Sequence, residues 1–271
     1  MRVSPFNDEP IEEVALTDAP LVKVLVQLRF PTIASVETNQ GIASFQAALN
    51  ERYPVMRDER EVELAVASNA PAPIQFNASV VRRLFNPDSQ GWTVSLASGF
   101  VALETSEYTS RAEFVDRWRE VLSALTEITP APRFYDRLGV RYINRLVGED
   151  VTQHLPELVY DEVLGVQVLE RDLGEEDDLI AAIAQANFRV GDVQLGARWG
   201  KLPPNGGFVP GLDPVGDVSW VLDTDVFIES KELPFDIEGI AVASEDAASR
   251  AYRFFRWAMT DDFLRRRGGQ L

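Results

Sequence analysis

The chain of 271 residues contains no cysteine and a single histidine, His154. The absence of cysteine excludes disulfides, thiolate catalysis, zinc ribbons and cysteine-ligated iron–sulfur clusters. One histidine also excludes a histidine-rich metal site, so any bound metal would be a hard ion held by oxygen ligands. We therefore expect neither a metal nor a cofactor.

Long apolar runs are missing as well. No stretch reaches the roughly 18 consecutive apolar residues that a membrane-spanning helix needs. Residues 1–10 are polar and contain two prolines, which is unlike a secretion signal. We expect a cytoplasmic protein with no membrane contact.

Positive charge is scarce relative to negative charge, with 26 Lys and Arg against 43 Asp and Glu and a net charge of −17. The resulting field repels phosphate, which disfavours duplex nucleic acid and anionic membranes as partners. The hydrophobic content of 45% is enough to bury a large core or two small ones. A folded globular protein is expected.

Two similar strands lie at residues 21–30 and 137–146, each alternating apolar and polar side chains. Each is followed by a helical segment, further strands, a tryptophan-containing hairpin and a long aromatic helix, an order that duplication can produce. We predict an α+β fold of two related halves, each an antiparallel sheet covered on one face by helices. The predicted boundaries are an arm at 1–20 and halves at 21–132 and 133–271, together forming one compact unit.

Local patterns in the first half predict individual elements. Residues 83–104 contain three short apolar runs separated by turn residues, which indicates three antiparallel strands. Ser110 and Glu113 form a capping box, and apolar residues at helical spacing follow down to Pro130. A helix packed on the sheet is expected there.

Local patterns in the second half are more ambiguous. Alternation over 187–199 around a Gly-Asp turn predicts a hairpin, and residues 220–229 predict another. The acidic residues at 172–178 predict a helix that runs through Ala186, since acids complement a helix N-terminus. A final helix is predicted from Ser244 onwards.

Three segments resemble a sporadically distributed bacterial family of about this length: PLVKVLVQLRF at 20–30, RLGVRYIN at 137–144 and FRWAMTD at 255–261. The resemblance covers nearly the whole chain, although Lys23 stands where we would expect an acidic residue. The family is functionally uncharacterised, so the resemblance implies no catalytic residues. Its patchy distribution implies an accessory or defence-type role.

A row of arginines is the first candidate binding feature. Arg137, Arg141 and Arg145 fall on one face of an extended strand, and Arg29 joins them if the two similar strands pair. Guanidinium groups suit carboxylate and phosphate, so an anion or an acidic partner segment could bind there. Pairing with nearby Asp and Glu of the same chain is the competing interpretation.

The segment 200–217 is rich in glycine and proline and exceeds the usual length of a connection. It contains no phosphate-cradling glycine motif, so it is either a connector or a partner loop, with Phe208 as a candidate contact. The aspartates in and after it lack the spacing of a calcium loop and are better explained by turns and hairpins. These are Asp213, Asp217, Asp223 and Asp225.

The last predicted helix carries aromatic residues on several sides, which indicates burial between layers or contact with another subunit. Trp257 and Phe263 are the candidate contacts from this helix. His154 has no nucleophile-elbow motif to serve, and carboxylate pairs cannot be selected from a single sequence. We predict no catalytic residue.

The sequence favours a non-enzymatic interaction protein, an adaptor or accessory component of a bacterial assembly that binds a protein partner, either a second copy or another chain. The alternative is a binding domain or hydrolase for a small anionic ligand. The predicted binding residues are Arg29, Arg137, Arg141, Arg145, Phe208, Trp257 and Phe263.

Overall fold

Nine strands form one antiparallel sheet in the computed structural model, which describes residues 3–7, 11–65, 75–174, 177–207 and 211–270. Across the sheet the order is β2-β3-β4-β5-β1-β6-β9-β8-β7. The strands are β1 (Leu21–Arg29), β2 (Val55–Ala65), β3 (Gln75–Asn86), β4 (Ser89–Ala97), β5 (Phe100–Thr105), β6 (Phe134–Val147), β7 (Ala182–Val190), β8 (Val193–Leu202) and β9 (Ser219–Pro234).

Helices occupy much of the remaining chain. The α-helices are α1 (Ala43–Leu49), α2 (Arg111–Thr126), α3 (Glu149–Thr152), α4 (Leu155–Leu158), α5 (Asp161–Leu164), α6 (Ile237–Ala258) and α7 (Asp261–Arg266). Two 3₁₀ helices cover Ala34–Glu37 and Gly165–Asp172. Among the described residues, no helix combines the length and the apolar composition that crossing a bilayer would require.

The predicted fold class is wrong in one respect. The fold is broadly α+β, but the strands do not form a separate sheet in each of two related halves. The two similar strands, β1 and β6, are neighbours in the middle of the order, so their hydrogen bonds make the strands on either side part of a single sheet.

Contacts between Cα atoms divide the chain into two compact units, each assembled from separate segments. Unit 1 consists of Met1–Val24, Val140–Ile228 and Asp246–Leu271. Unit 2 consists of Leu25–Gly139 and Glu229–Glu245. Strands β1, β6 and β9 and helix α6 therefore contribute residues to both units.

The core of unit 2 follows the predicted pattern. The Glu113 N–H donates to Ser110 Oγ at 3.2 Å and caps α2. The apolar residues spaced along α2 are all buried, and the Phe114 ring lies 5.9 Å from the Trp92 ring of β4. Antiparallel pairing joins β3 to β4, with one register shift between Phe85 and Asn86, and β4 to β5, which confirms the three predicted strands.

The second half of the chain departs from the predicted pattern in three places. Residues 182–186 belong to strand β7 rather than to the end of a helix. Residues 220–229 lie within the single strand β9 rather than in a hairpin, and the final helix begins at Ile237, before Ser244. The hairpin around Gly191 is confirmed, with Val190 paired to Val193 and a positive φ of 63° at the glycine.

Helix α6 covers one face of β7 and β8 within unit 1. The Phe254 ring lies 6.1 Å from Phe188 and 6.4 Å from Trp199. Phe6, from the N-terminal arm, packs on Phe188 at 4.8 Å, and the Val14 N–H donates to the Tyr252 hydroxyl at 2.7 Å. Aromatic residues of the last helices are therefore contacted by the chain's own arm and strands.

The hydrogen bonds in the N-terminal turn of α2 predict that the protein loses stability as the pH falls into the acid range. Hydrogen bonds from Thr109 and then Arg117 hold the pKa of Glu113 below its ordinary value of 4.5. Folding thus favours the charged form, and this contribution is present above that ordinary value and lost as the pH falls through the lower folded pKa. We expect the thermal midpoint of the wild type to fall more between about pH 7 and pH 3 than that of Glu113→Gln. Glu127→Gln, at the other end of α2, controls for loss of one charge, and equal slopes for wild type and Glu113→Gln would contradict the assignment.

Candidate partner-binding surface

A buried carboxylate connects three strands of unit 1. Asp223 on β9 is 2% exposed and accepts two hydrogen bonds from Arg141 of β6, from Nε at 2.6 Å and from Nη2 at 3.0 Å. Arg198 of β8 donates to the same carboxylate from Nη2 at 2.9 Å. Such charge-assisted forks are strong, and they compensate the cost of burying the charge.

The strand register fixes the face on which this cluster lies. Asp223 pairs with Arg198, and Arg198 pairs with Gln185 of β7, so the three side chains share one face. Leu222 pairs with Trp199 on the other face, against which Phe254 of α6 packs. The arginine–aspartate cluster therefore lies on the face opposite the one covered by α6, with the Arg141 and Arg198 side chains partly exposed.

Arg145 has a different role from Arg141. Its Nη1 donates to the Asp213 carbonyl at 2.7 Å, and its Nε has no hydrogen-bond partner in the described part of the chain. Burial lowers the pKa of this guanidinium, and the charge of Asp213 opposes the shift. Arg145 thus holds the segment after β8 against β6, where Leu212 also packs on a buried cluster of Ile143, Leu202 and Val221.

The two remaining predicted arginines belong to unit 2. Arg29 is exposed at the end of β1, and its Nε donates to Gln27 Oε1 at 3.1 Å. The Arg137 guanidinium lies directly over Gly139, where a Cβ atom would meet its Nη1 at 2.7 Å. A side chain at 139 would require this guanidinium to shift. A role in partner binding stays a prediction for both arginines.

The predicted aromatic contacts are placed differently from one another. Phe263 of α7 is fully buried and meets the Phe255 ring edge-on at 5.8 Å. Trp257 is half-buried, with its ring 5.1 Å from Phe254. Phe208 lies outside the described residues. Of the two that the structure describes, Trp257 is the one with a partly accessible side chain.

The segment 163–183, which we call the inverted segment, exposes apolar side chains that the sequence analysis did not single out. Its large exposed side chains are Val166 (61%), Leu169 (59%), Leu173 (41%), Ile180 (68%) and Ile183 (43%). Half of the large hydrophobic residues exposed in the described chain come from this short stretch. Single exposed apolar residues are ordinary, whereas a concentration of them is a common feature of interaction surfaces.

Several polar groups of the inverted segment bind side chains of strand β8. The Lys201 ammonium of β8 is buried and donates to Glu170 at 2.5 Å and to Asp178 at 3.3 Å. Trp199 Nε1 donates to the Val163 carbonyl, and the Gln167 side chain is buried. Polar contacts thus anchor the segment to β8 while five of its large apolar side chains face solvent, although Val163 and Leu164 at its start are buried.

The electrostatics of Lys201 explain why this anchor is stable. Burial alone would lower the pKa of the ammonium, but hydrogen bonds and charge attraction from Glu170 and Asp178 outweigh burial and raise it. The lysine therefore stays charged at neutral pH. Because the two carboxylates lie on both sides of residues 175–176, one cation holds two stretches of the segment.

Sequence reasoning missed this surface because its pattern has an ordinary explanation. Val166, Leu169 and Leu173 follow helical spacing, which normally indicates a face directed to the core. The acidic residues at 172–178 were expected to open a helix, whereas Asp178 pairs with Lys201. A lysine more than 20 residues away cannot be assigned as the partner from local pattern.

The described residues show no group of three or more acidic or histidine side chains that could hold a metal ion. Asp223 is engaged with arginines, and the Asp213 carbonyl accepts from Arg145. His154 Nδ1 lies 3.6 Å from Glu157, on the short helix α4.

No protein-family model matches the chain, and no curated protein matches it either. The resemblance carried by residues 20–30, 137–144 and 255–261 therefore stays a prediction.

The arginine–aspartate cluster predicts an ordered series of stability losses. We expect Asp223→Asn to lower the free energy of unfolding by about 3 kcal/mol, because two guanidinium groups lose their shared carboxylate. Arg141→Ala should cost roughly 2 kcal/mol, since Asp223 keeps Arg198. Arg198→Ala should cost about 1 kcal/mol or less, because the Arg198 side chain is more exposed than that of Arg141. Denaturant titration measures the series, and equal losses for Arg141→Ala and Arg198→Ala would contradict the geometry.

Proposed function

We propose that this protein is a non-enzymatic interaction component that binds a protein partner through the inverted segment. The observation that carries the proposal is the exposure of Val166, Leu169 and Ile180 on a segment whose Glu170 and Asp178 carboxylates are held by Lys201. Water-exposed apolar side chains of this size are unfavourable in the free protein, and a partner that covers them removes that cost.

The energetic gain from such a partner is substantial. Covering one exposed leucine, isoleucine or valine yields roughly 1.5–3 kcal/mol when burial is complete. The five exposed apolar residues named above are each more than a third exposed, so each retains much of that gain for binding. A few central residues of this kind dominate most protein interfaces.

The anchoring of the segment also favours binding. Trp199 holds the Val163 carbonyl, and Lys201 holds the side chains of Glu170 and Asp178, before any partner arrives. Ordering a loop on association costs free energy, so a surface that is already ordered loses less of its binding energy. This supports an interaction role over a purely connecting role.

The biological setting belongs to the same proposal. A cytoplasmic accessory component of a bacterial assembly, with a defence role implied by family resemblance, agrees with an acidic chain that would avoid nucleic acid. Arg29, Trp257 and the segment 200–217 are further candidate contacts. Arg141 and Arg145 both bind groups of their own chain. In this proposal they stabilise the sheet that supports the binding surface and do not contact the partner.

The alternative, binding of a small anion, has less support from the described groove in unit 2. This groove of about 600 Å³ lies beside α1 and α2 and includes Arg52 and Arg117 in its lining. Arg52 already pairs with Glu120 at 2.8 Å, and Arg117 pairs with Glu113 and stacks on Trp92 at 4.1 Å. An anion would have to displace a carboxylate to reach either cation.

Affinity purification from the native host tests the proposal directly. We expect the wild type to retain a protein partner in stoichiometric amount, and the double variant Val166→Ser with Leu169→Ser to retain about a tenth or less, because apolar contact is lost. Val242→Ser is the matched control, since Val242 is an equally exposed valine on α6.

Mass spectrometry of the purified material distinguishes the outcomes. Equal retention by the double variant and the control would contradict a role for the inverted segment. A retained small anion without any protein partner would favour the alternative, and Arg52→Ala, in the lining of the unit 2 groove, should then release that anion.

A further inference from the structure

The two outer strands of the sheet differ in how well they are protected against pairing. On β2, Arg57, Asp58, Glu59 and Arg60 follow one another, and charges of this kind keep an edge strand from joining another sheet. On β7 the only charged residue is Arg189. Strand β7 also contains no proline, and its pairing with β8 runs from Ala182 to Val190 without a shift. It is a regular, nearly uncharged edge.

The tight hairpin determines which backbone groups of β7 point away from the sheet. Val190 pairs with Val193 across a two-residue turn, so these two residues exchange hydrogen bonds. Because hydrogen-bonding direction alternates along an antiparallel strand, the odd-numbered residues direct their N–H and C=O groups outward. These residues are Ile183, Gln185, Asn187 and Arg189, and all four are exposed.

No other segment of the described chain takes up these outward groups. Strand β7 is last in the sheet order, and no backbone hydrogen bond from another loop or helix of the described residues reaches 183–189. A row of unpaired groups along a straight strand is a template for one more strand.

We propose that β7 pairs antiparallel with β7 of a second copy of this chain, around a twofold axis at Ala186. Ala186 is the midpoint of the strand, so this register places every outward residue opposite another outward residue. The four residue pairs would exchange about eight hydrogen bonds. The sheet would then continue from one protomer into its partner.

Side-chain chemistry favours the second copy as the occupant. In this register Gln185 lies opposite Asn187 of the other copy, and two amide side chains can hydrogen-bond to each other. Ile183 lies opposite Arg189, so no two charges of the same sign meet. The two Arg189 residues are six positions apart along the paired strands, roughly 20 Å.

The net charge of the chain strengthens the choice of this edge. Two copies that each carry −17 repel each other at long range, and the repulsion is least harmful where no carboxylate lies on the contact strand. Strand β7 has none. The inference goes beyond the proposed function and does not depend on it, because it uses the backbone edge rather than the exposed residues 166–180.

Light scattering on the full chain, over a dilution series, tests self-association. We expect the wild type to reach twice the 30.2 kDa mass of one chain and to dissociate on dilution. Asn187→Pro should weaken the dimer at least about tenfold, because each copy loses an outward N–H and gains a ring at the contact. The strand itself should tolerate this proline, since the lost N–H does not face β8. Asn187→Thr keeps the N–H and should remain dimeric.

Two double variants test the register. Gln185→Lys with Asn187→Lys sets like charges opposite each other and should yield a monomer, whereas Gln185→Glu with Asn187→Lys sets opposite charges together and should restore the dimer. Circular dichroism checks that each variant is folded.

A wild type that stays monomeric at every concentration, or a folded Asn187→Pro variant that dimerises as well as wild type, would overturn the proposal. Either result leaves the partner retention of the Val166→Ser and Leu169→Ser variant unaffected, so the two proposals fail separately.

Discussion

The Asp223 carboxylate is the constraint on which unit 1 depends. It is almost fully buried, and an unpaired carboxylate in that position would cost several kcal/mol. Arg141 from β6 and Arg198 from β8 neutralise it from the strands on either side. A slip of one residue in the pairing of β8 with β9 would turn these side chains to opposite faces, so the charge cluster specifies the register. The inverted segment and the edge of β7 are both positioned by strands fixed in this way.

Strands β7 and β8 support two different candidate binding surfaces. Lys201 and Trp199 of β8 hold the inverted segment by its polar groups, while five of its large apolar side chains are exposed to water. Strand β7, paired with β8 on one side, leaves a row of backbone groups without partners in the described chain on the other. One surface offers apolar area and the other offers hydrogen bonds, so they suit different partners. An assembly component that both dimerises and binds another protein would use them together.

Local patterns predicted the elements whose stability is decided locally. The capped helix α2, the strands β3 to β5 and the hairpin at Gly191 all depend on neighbours within a few residues. Residues 182–186 are rich in alanine and favour a helix by intrinsic propensity, but pairing with β8 makes them a strand. Local pattern predicts a turn or hairpin position for Asp223, whereas its partner Arg141 lies 82 residues away in sequence. The joining of β1 and β6 into one sheet and the inverted polarity of 163–183 likewise depend on contacts distant in sequence.

Hydrogen–deuterium exchange on the isolated protein and on the complex purified from the native host tests the central claim most directly, since exchange reports which backbone groups become protected. We predict that partner binding slows exchange in peptides covering 165–173. Raising the concentration of the isolated protein should slow exchange in peptides covering 182–190. Protection confined to α2 or to the segment after β8, with exchange at 165–190 unchanged in both experiments, would contradict it.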